Sequence, residues 1–136
     1  MGKLTIFLIC TFICTTVAAT AAGMQETYRA TIGDDGIQRV ELVGGSYFFR
    51  PGHVIVKVDV PVELTVRKDG WIVPHDIVID APDAGITVRE SLSAEPKVIR
   101  FTPTKAGRYP FYCSKKPPFM ASHREKGMEG VLEVVE

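Results

Sequence analysis

From residue 33 to residue 107 the chain is cut at short intervals by turn signals. They are Gly33-Asp34-Asp35-Gly36, Gly44-Gly45, Pro51-Gly52, Lys68-Asp69-Gly70, Ala81-Pro82-Asp83-Ala84-Gly85 and Lys105-Ala106-Gly107. The runs between them are short and rich in valine, isoleucine, threonine and aromatic residues. No run after residue 23 has a sustained helical period, although the loop 114–127 has room for one helical turn. Short β-rich runs at this spacing predict an all-β chain folded as an antiparallel sandwich or barrel. No internal repeat, low-complexity tract or linker interrupts it.

Side chains two apart on a strand share a face. Val54, Val56 and Val58 therefore share one side, and His53, Lys57 and Asp59 the other. The same rule puts Trp71, Val73, His75, Ile77 and Ile79 on an inward apolar face, with Asp76 and Asp80 opposite. Near the carboxyl end, Tyr109, Phe111 and Cys113 share a face, as do Met128, Leu132 and Val134. His53 follows the Pro51-Gly52 turn on an outward face and has no assigned role.

The amino end has a different character. Lys3 precedes an apolar stretch from Leu4 to Cys14, and a small-residue segment, Val17 to Ala22, follows. This is the layout of a secretory signal peptide, and its apolar part is too short to span a bilayer as a helix. The expected organisation is a signal peptide over residues 1–22 and one domain over 24–136, in a protein that is periplasmic or secreted. Cleavage removes Lys3, Cys10 and Cys14, which leaves a net charge near −1 and a single thiol, Cys113. A near-neutral domain argues against general binding to nucleic acid or acidic membranes. A lone cysteine has no partner for an internal disulfide, though the exported compartment permits one.

Cys113 is followed by His123 and Met128, and His75 stands upstream in Val73-Pro74-His75-Asp76. Taken singly, each has a bland reading. A histidine on an apolar face is often a satisfied core residue, a buried cysteine packs as a small hydrophobe, and a methionine fills gaps. Together they offer one thiolate, two imidazoles and a thioether, a soft set suited to copper in both oxidation states. Lys115, Lys116, Arg124 and Lys126 make the intervening loop basic. That loop reads either as a solvated segment or as a docking rim for an acidic redox partner.

The segment Phe101-Thr102-Pro103-Thr104-Lys105-Ala106-Gly107-Arg108-Tyr109-Pro110-Phe111-Tyr112-Cys113 resembles the cupredoxins, the family of the plastocyanins and azurins. So do His123 and Gly127-Met128-Glu129-Gly130-Val131-Leu132-Glu133-Val134, and Val73-Pro74-His75-Asp76 is similar to the family's first ligand motif. The resemblance covers roughly residues 40 to 136. It implies a Greek-key sandwich of about eight strands in which His75, Cys113 and His123 bind one copper ion equatorially and Met128 axially. It also implies that Tyr109 serves as a tyrosine corner.

Two departures bear on the site. Nine residues separate Cys113 from His123, a longer loop than in the small blue proteins, so Met120 or Glu125 is open as an alternative fourth ligand. Asp76 stands where the family commonly has an asparagine that braces the cysteine loop. The binuclear centre of cytochrome oxidase subunit II needs two cysteines in this loop and is excluded by the single one.

The resulting expectation is a non-enzymatic, exported electron carrier with a mononuclear type 1-like copper site. The alternative is a copper(I) carrier or assembly factor on the same fold. A thiol enzyme built on Cys113 lacks any legible oxyanion donor or orienting acid.

Overall fold

The computed structural model describes residues 25–70 and 72–136. The signal segment and Trp71 therefore lie outside the described residues. Ten strands form among the described residues: β1 (Thr27–Arg29), β2 (Gln38–Gly45), β3 (Phe48–Arg50), β4 (His53–Lys57), β5 (Val62–Lys68), β6 (Asp76–Ala81), β7 (Ile86–Ser91), β8 (Lys97–Phe101), β9 (Gly107–Tyr112) and β10 (Glu129–Val135). The expected eight become ten because two three-residue pieces, β1 and β3, pair at sheet edges.

Two mixed sheets result. The first has the order β1-β4-β10-β9-β6-β7 and the second β3-β2-β5-β8. In the first, β4 runs parallel to both β1 and β10, while β9 is antiparallel to β10 and β6. In the second, β2 is parallel to β5 and antiparallel to β3. Alternation on the strands fills the space between the sheets. Val40, Leu42, Val62, Leu64 and Val66 come from one sheet, and Val54, Val56, Ile77, Ile79, Phe111, Leu132 and Val134 from the other. Each such side chain contributes about 1.5–3 kcal/mol by leaving water.

Of the expected inward face, His75, Ile77 and Ile79 are buried, but Val73 is exposed, and Asp76, expected on the opposite side, is buried as well, because β6 starts only at Asp76. Period-two alternation fails there because the segment is a loop and not a strand.

Two details hold the carboxyl-terminal half in register. The Tyr109 hydroxyl donates to the Lys105 carbonyl at 2.9 Å, so the tyrosine corner forms. Gly130 pairs with Phe111 across β9 and β10, and a Cβ there would collide with the Phe111 ring and the Gly52 carbonyl oxygen. The carbonyl belongs to backbone and has nowhere to go. Gly130→Ala is expected to lower stability by about 2–3 kcal/mol in urea unfolding, as overpacked cores do.

Candidate metal centre

Three of the four singled-out residues stand next to strand ends, and His123 stands in the loop between β9 and β10. His75 immediately precedes β6, and its carbonyl accepts from the Leu92 amide at 3.0 Å. Cys113 immediately follows β9, and Met128 immediately precedes β10. Three backbone bonds close the base of the loop 114–127: Cys113 N–H to Met128 O at 3.1 Å, Met128 N–H to His123 O at 2.9 Å, and His123 N–H to Lys115 O at 2.9 Å. His123 is thereby carried back onto the cysteine although nine residues intervene. Within the loop, the Lys126 amide bonds the Ser122 carbonyl at 3.1 Å, a single helical turn.

His75, Cys113 and His123 come together with donor atoms all within 4.8 Å of one another, and all three are buried. The two Nδ1 atoms are 3.1 Å apart, and Cys113 Sγ lies 3.9 Å from His75 Nδ1 and 3.5 Å from His123 Nδ1. The point equidistant from these atoms is about 2 Å from each. That matches a first-row metal's bond to imidazole nitrogen and falls slightly short of its bond to thiolate sulfur. One soft sulfur with two nitrogens in a dry pocket fits copper. Met128 is fully buried in the same core cluster, with its methyl group against Gly44.

The electrostatics are those of a pocket that keeps its groups neutral without metal. Burial pushes the Cys113 thiol up, and the Asp76 carboxylate beside it adds to this. Burial also lowers His123, with the Lys126 charge acting the same way. His75 is lowered to about 4, chiefly by burial, then by His123 and Lys68. Its folded-state value lies below the unfolded 6.5, so between the two only the unfolded chain takes up a proton. The metal-free protein should therefore keep this stability in full above pH 6.5 and lose about 2–3 kcal/mol as pH falls to 4, read by urea midpoints across that range.

Asp76 braces the cysteine loop as the sequence suggested an acid could. Its two oxygens accept from Ser114 N–H and Ser114 Oγ–H, each at 2.6 Å, and Lys115 Nζ stands 3.6 Å away. Burial alone would raise this carboxyl, but the Ser114 bonds outweigh it and hold it below its ordinary value.

The alternative fourth ligands are engaged elsewhere or face outward. Met120 is exposed. The Glu125 carboxylate is exposed and accepts from Ser122 N–H and Oγ–H, both at 2.7 Å, while its own amide bonds Ser122 Oγ, which makes a capping box. His53 is not a free surface histidine. Its Nε2 meets Glu133 at 2.7 Å, and Glu133 is also held by Arg108. The basic loop is less open than its composition suggests, because Arg124 bonds Glu129 and lies over the Tyr112 ring, Lys115 faces Asp76, and Lys126 lies over Tyr47.

Tyr47 was not singled out by the sequence. Its ring stands edge-on to both imidazoles, 5.0 Å from His123 and 6.3 Å from His75 between ring centres. A tyrosine in an aromatic run looks like ordinary strand filling, and no local signal marks it as a neighbour of residues far along the chain.

Two packed β-sheets with a buried His-Cys-His cluster at one end define a cupredoxin sandwich, and its structural neighbours are cupredoxins. One is the metal-binding domain of the Streptococcus pneumoniae D39 Cu(I)-exporting P-type ATPase CopA, solved with Cu(I). It is 27% identical with a TM-score of 0.63, over 84% of this chain and 100% of that domain. A copper-binding protein solved in its apo form is 26% identical with a TM-score of 0.56, over 79% of this chain and 95% of that one. Dithionite-reduced auracyanin from Roseiflexus castenholzii is 20% identical with a TM-score of 0.57, over 79% and 99%. No protein-family model and no curated protein sequence matches the chain.

Proposed function

We propose that the chain is an exported, non-enzymatic electron-transfer protein that holds one copper ion with His75, Cys113 and His123, and Met128 as fourth ligand. The observation that carries this is the donor triangle itself: one thiol and two imidazoles at metal-binding separations, buried, with His75 and Cys113 anchored at strand ends. Copper bound there supplies a one-electron couple. The chain contributes rigidity, since His75 and Cys113 are fixed by β6 and β9 and the loop base by backbone bonds, so the donors move little between oxidation states. It also contributes dryness, because Cys113 and Met128 belong to the apolar core cluster that includes Phe49, Leu92 and Phe111, and both histidines are buried. Exposed Lys116, Phe119 and Met120 on the ligand loop suit docking of an acidic redox partner with an apolar contact.

The optical and paramagnetic-resonance spectra of the copper(II) form test the reading. An intense thiolate-to-copper band at one ion per chain is the expected result. Its absence with copper confirmed bound would exclude a type 1 site.

A second reading, a copper(I) carrier, is favoured by the match to the whole metal-binding domain of a Cu(I)-exporting ATPase. It predicts ready transfer of copper(I) to an acceptor and poor cycling. Fast reversible voltammetry without metal loss would argue against it.

A further inference from the structure

Tyr47 lies in the two-residue turn between β2 and β3 with φ of 62°, in the left-handed region. Glycine or asparagine suits such a turn, and a bulky aromatic residue there is strained. The conformation aims the ring at the metal centre. It stands at 78° to the His123 ring and 90° to the His75 ring, and closes the imidazole end of the cluster. Lys126, three residues beyond His123, clasps it from outside. The ammonium lies 4.4 Å over the ring centre, and Nζ donates to the phenol oxygen at 3.3 Å. Gly127 follows at φ 99°, and a Cβ there would touch the Tyr47 carbonyl oxygen at 3.9 Å, so the ligand loop is docked against this turn along its backbone as well.

We propose that Tyr47, clasped by Lys126, is a cap that governs how fast metal enters and leaves the centre. The proposal rests on the copper reading above. Copper(I) held by His75, Cys113 and His123 would leave by exchange with an incoming ligand. That ligand needs an approach to the donor triangle. Core packing backs the sulfur side, with Phe49, Leu92, Phe111 and Met128 in the cluster that contains Cys113, while a surface pocket lined by Ser46, Asp69, Gly70, Ile72, Val73 and His75 reaches His75 beside the Tyr47 turn. Next to that pocket the Tyr47 ring covers both imidazoles, held by a lysine on the same loop as His123. The cap belongs to the β2–β3 turn and the clasp to the ligand loop, so a contact that draws Lys126 away loosens the ring without unfolding a strand. An acidic partner surface is the chemistry that would do so.

The test follows copper(I) leaving the loaded, purified protein into an excess of the chromophoric chelator bathocuproine disulfonate. Tyr47→Gly removes the ring while suiting the left-handed backbone, so the turn is expected to fold, and a melting curve confirms it. Release should quicken at least about tenfold in Tyr47→Gly and several-fold in Lys126→Met, whereas Tyr47→Phe, which keeps the ring under the ammonium, should stay within about twofold of the parent. Release at the parent rate in both Tyr47→Gly and Lys126→Met would overturn the cap. Should the parent hold no copper, the metal reading fails, and the cap is read instead on the metal-free chain. Iodoacetamide alkylation at Cys113, quantified by peptide mass, should then be faster in Tyr47→Gly, and equal rates would overturn the proposal.

Discussion

Cys113→Ser is expected to abolish the thiolate-to-copper charge-transfer band and to weaken copper(II) binding at least about a hundredfold. The band is a transition from sulfur to metal, so no other residue at the site supplies it. Serine is near in volume but keeps its proton at neutral pH and offers a hard oxygen, so two imidazoles remain without a charged partner. The fold should survive. The new hydroxyl lies where Sγ meets His123 Nδ1 at 3.5 Å and His75 Nδ1 at 3.9 Å, so a polar partner is at hand. The cost to stability should stay near about 1–2 kcal/mol. Copper titration monitored by visible spectroscopy, alongside urea unfolding of the metal-free variant, separates the two effects. Undiminished copper affinity in Cys113→Ser would place the metal elsewhere on the chain and remove the basis for an electron-transfer role.

The β-sandwich was legible because its signals are local. Turn residues such as Gly44-Gly45 and Pro51-Gly52 break valine-rich runs that alternate correctly, as Val54 and Val56 or Leu132 and Val134 show by their burial. The gathering of His75, Cys113 and His123 was legible for another reason. The histidine stands beside one strand and the cysteine beside another, and β6 and β9 are neighbours in the sheet. What escaped notice depends on contacts between distant segments. His53 finds Glu133 only because β4 and β10 pair in parallel. Tyr47 meets His75 and His123 only because the β2–β3 turn of one sheet folds over the end of the other. Glu125 is the intermediate case. Its pattern is local: Ser122 followed three residues later by Glu125 is a capping box, and that pairing takes the carboxylate away from the metal.

The apolar run before His75 shows where pattern reasoning goes astray. Val73 is 39% exposed although alternation places it inward, and Ile72 beside it is 93% exposed. Pro74 intervenes, and a proline has no amide hydrogen for a sheet ladder. The strand begins only at Asp76, and this late start leaves His75 at its mouth, free to turn toward Cys113.

Asp76→Ala is expected to lower stability by about 3–5 kcal/mol. The carboxylate is buried and accepts two bonds from Ser114 at 2.6 Å, from the amide and from the hydroxyl. Alanine leaves both donors without their partner, and the chain next to Cys113 loses what fixes its direction. Asp76→Asn separates geometry from charge. Its amide oxygen still accepts from the Ser114 amide, and its NH2 donates to a hydroxyl that is also an acceptor, so the loop should keep its course at a cost of about 1 kcal/mol. The negative charge is lost, and with it an influence that raises the Cys113 thiol and favours the more positive, oxidised centre. The reduction potential of the copper-loaded variant should therefore rise by on the order of 100 mV in voltammetry. An unchanged potential with the structure intact would mean that Asp76 braces the loop without setting the field at the metal. A lower one would mean that Lys115, freed from its contact with the carboxylate, has moved away from the cluster instead of toward it.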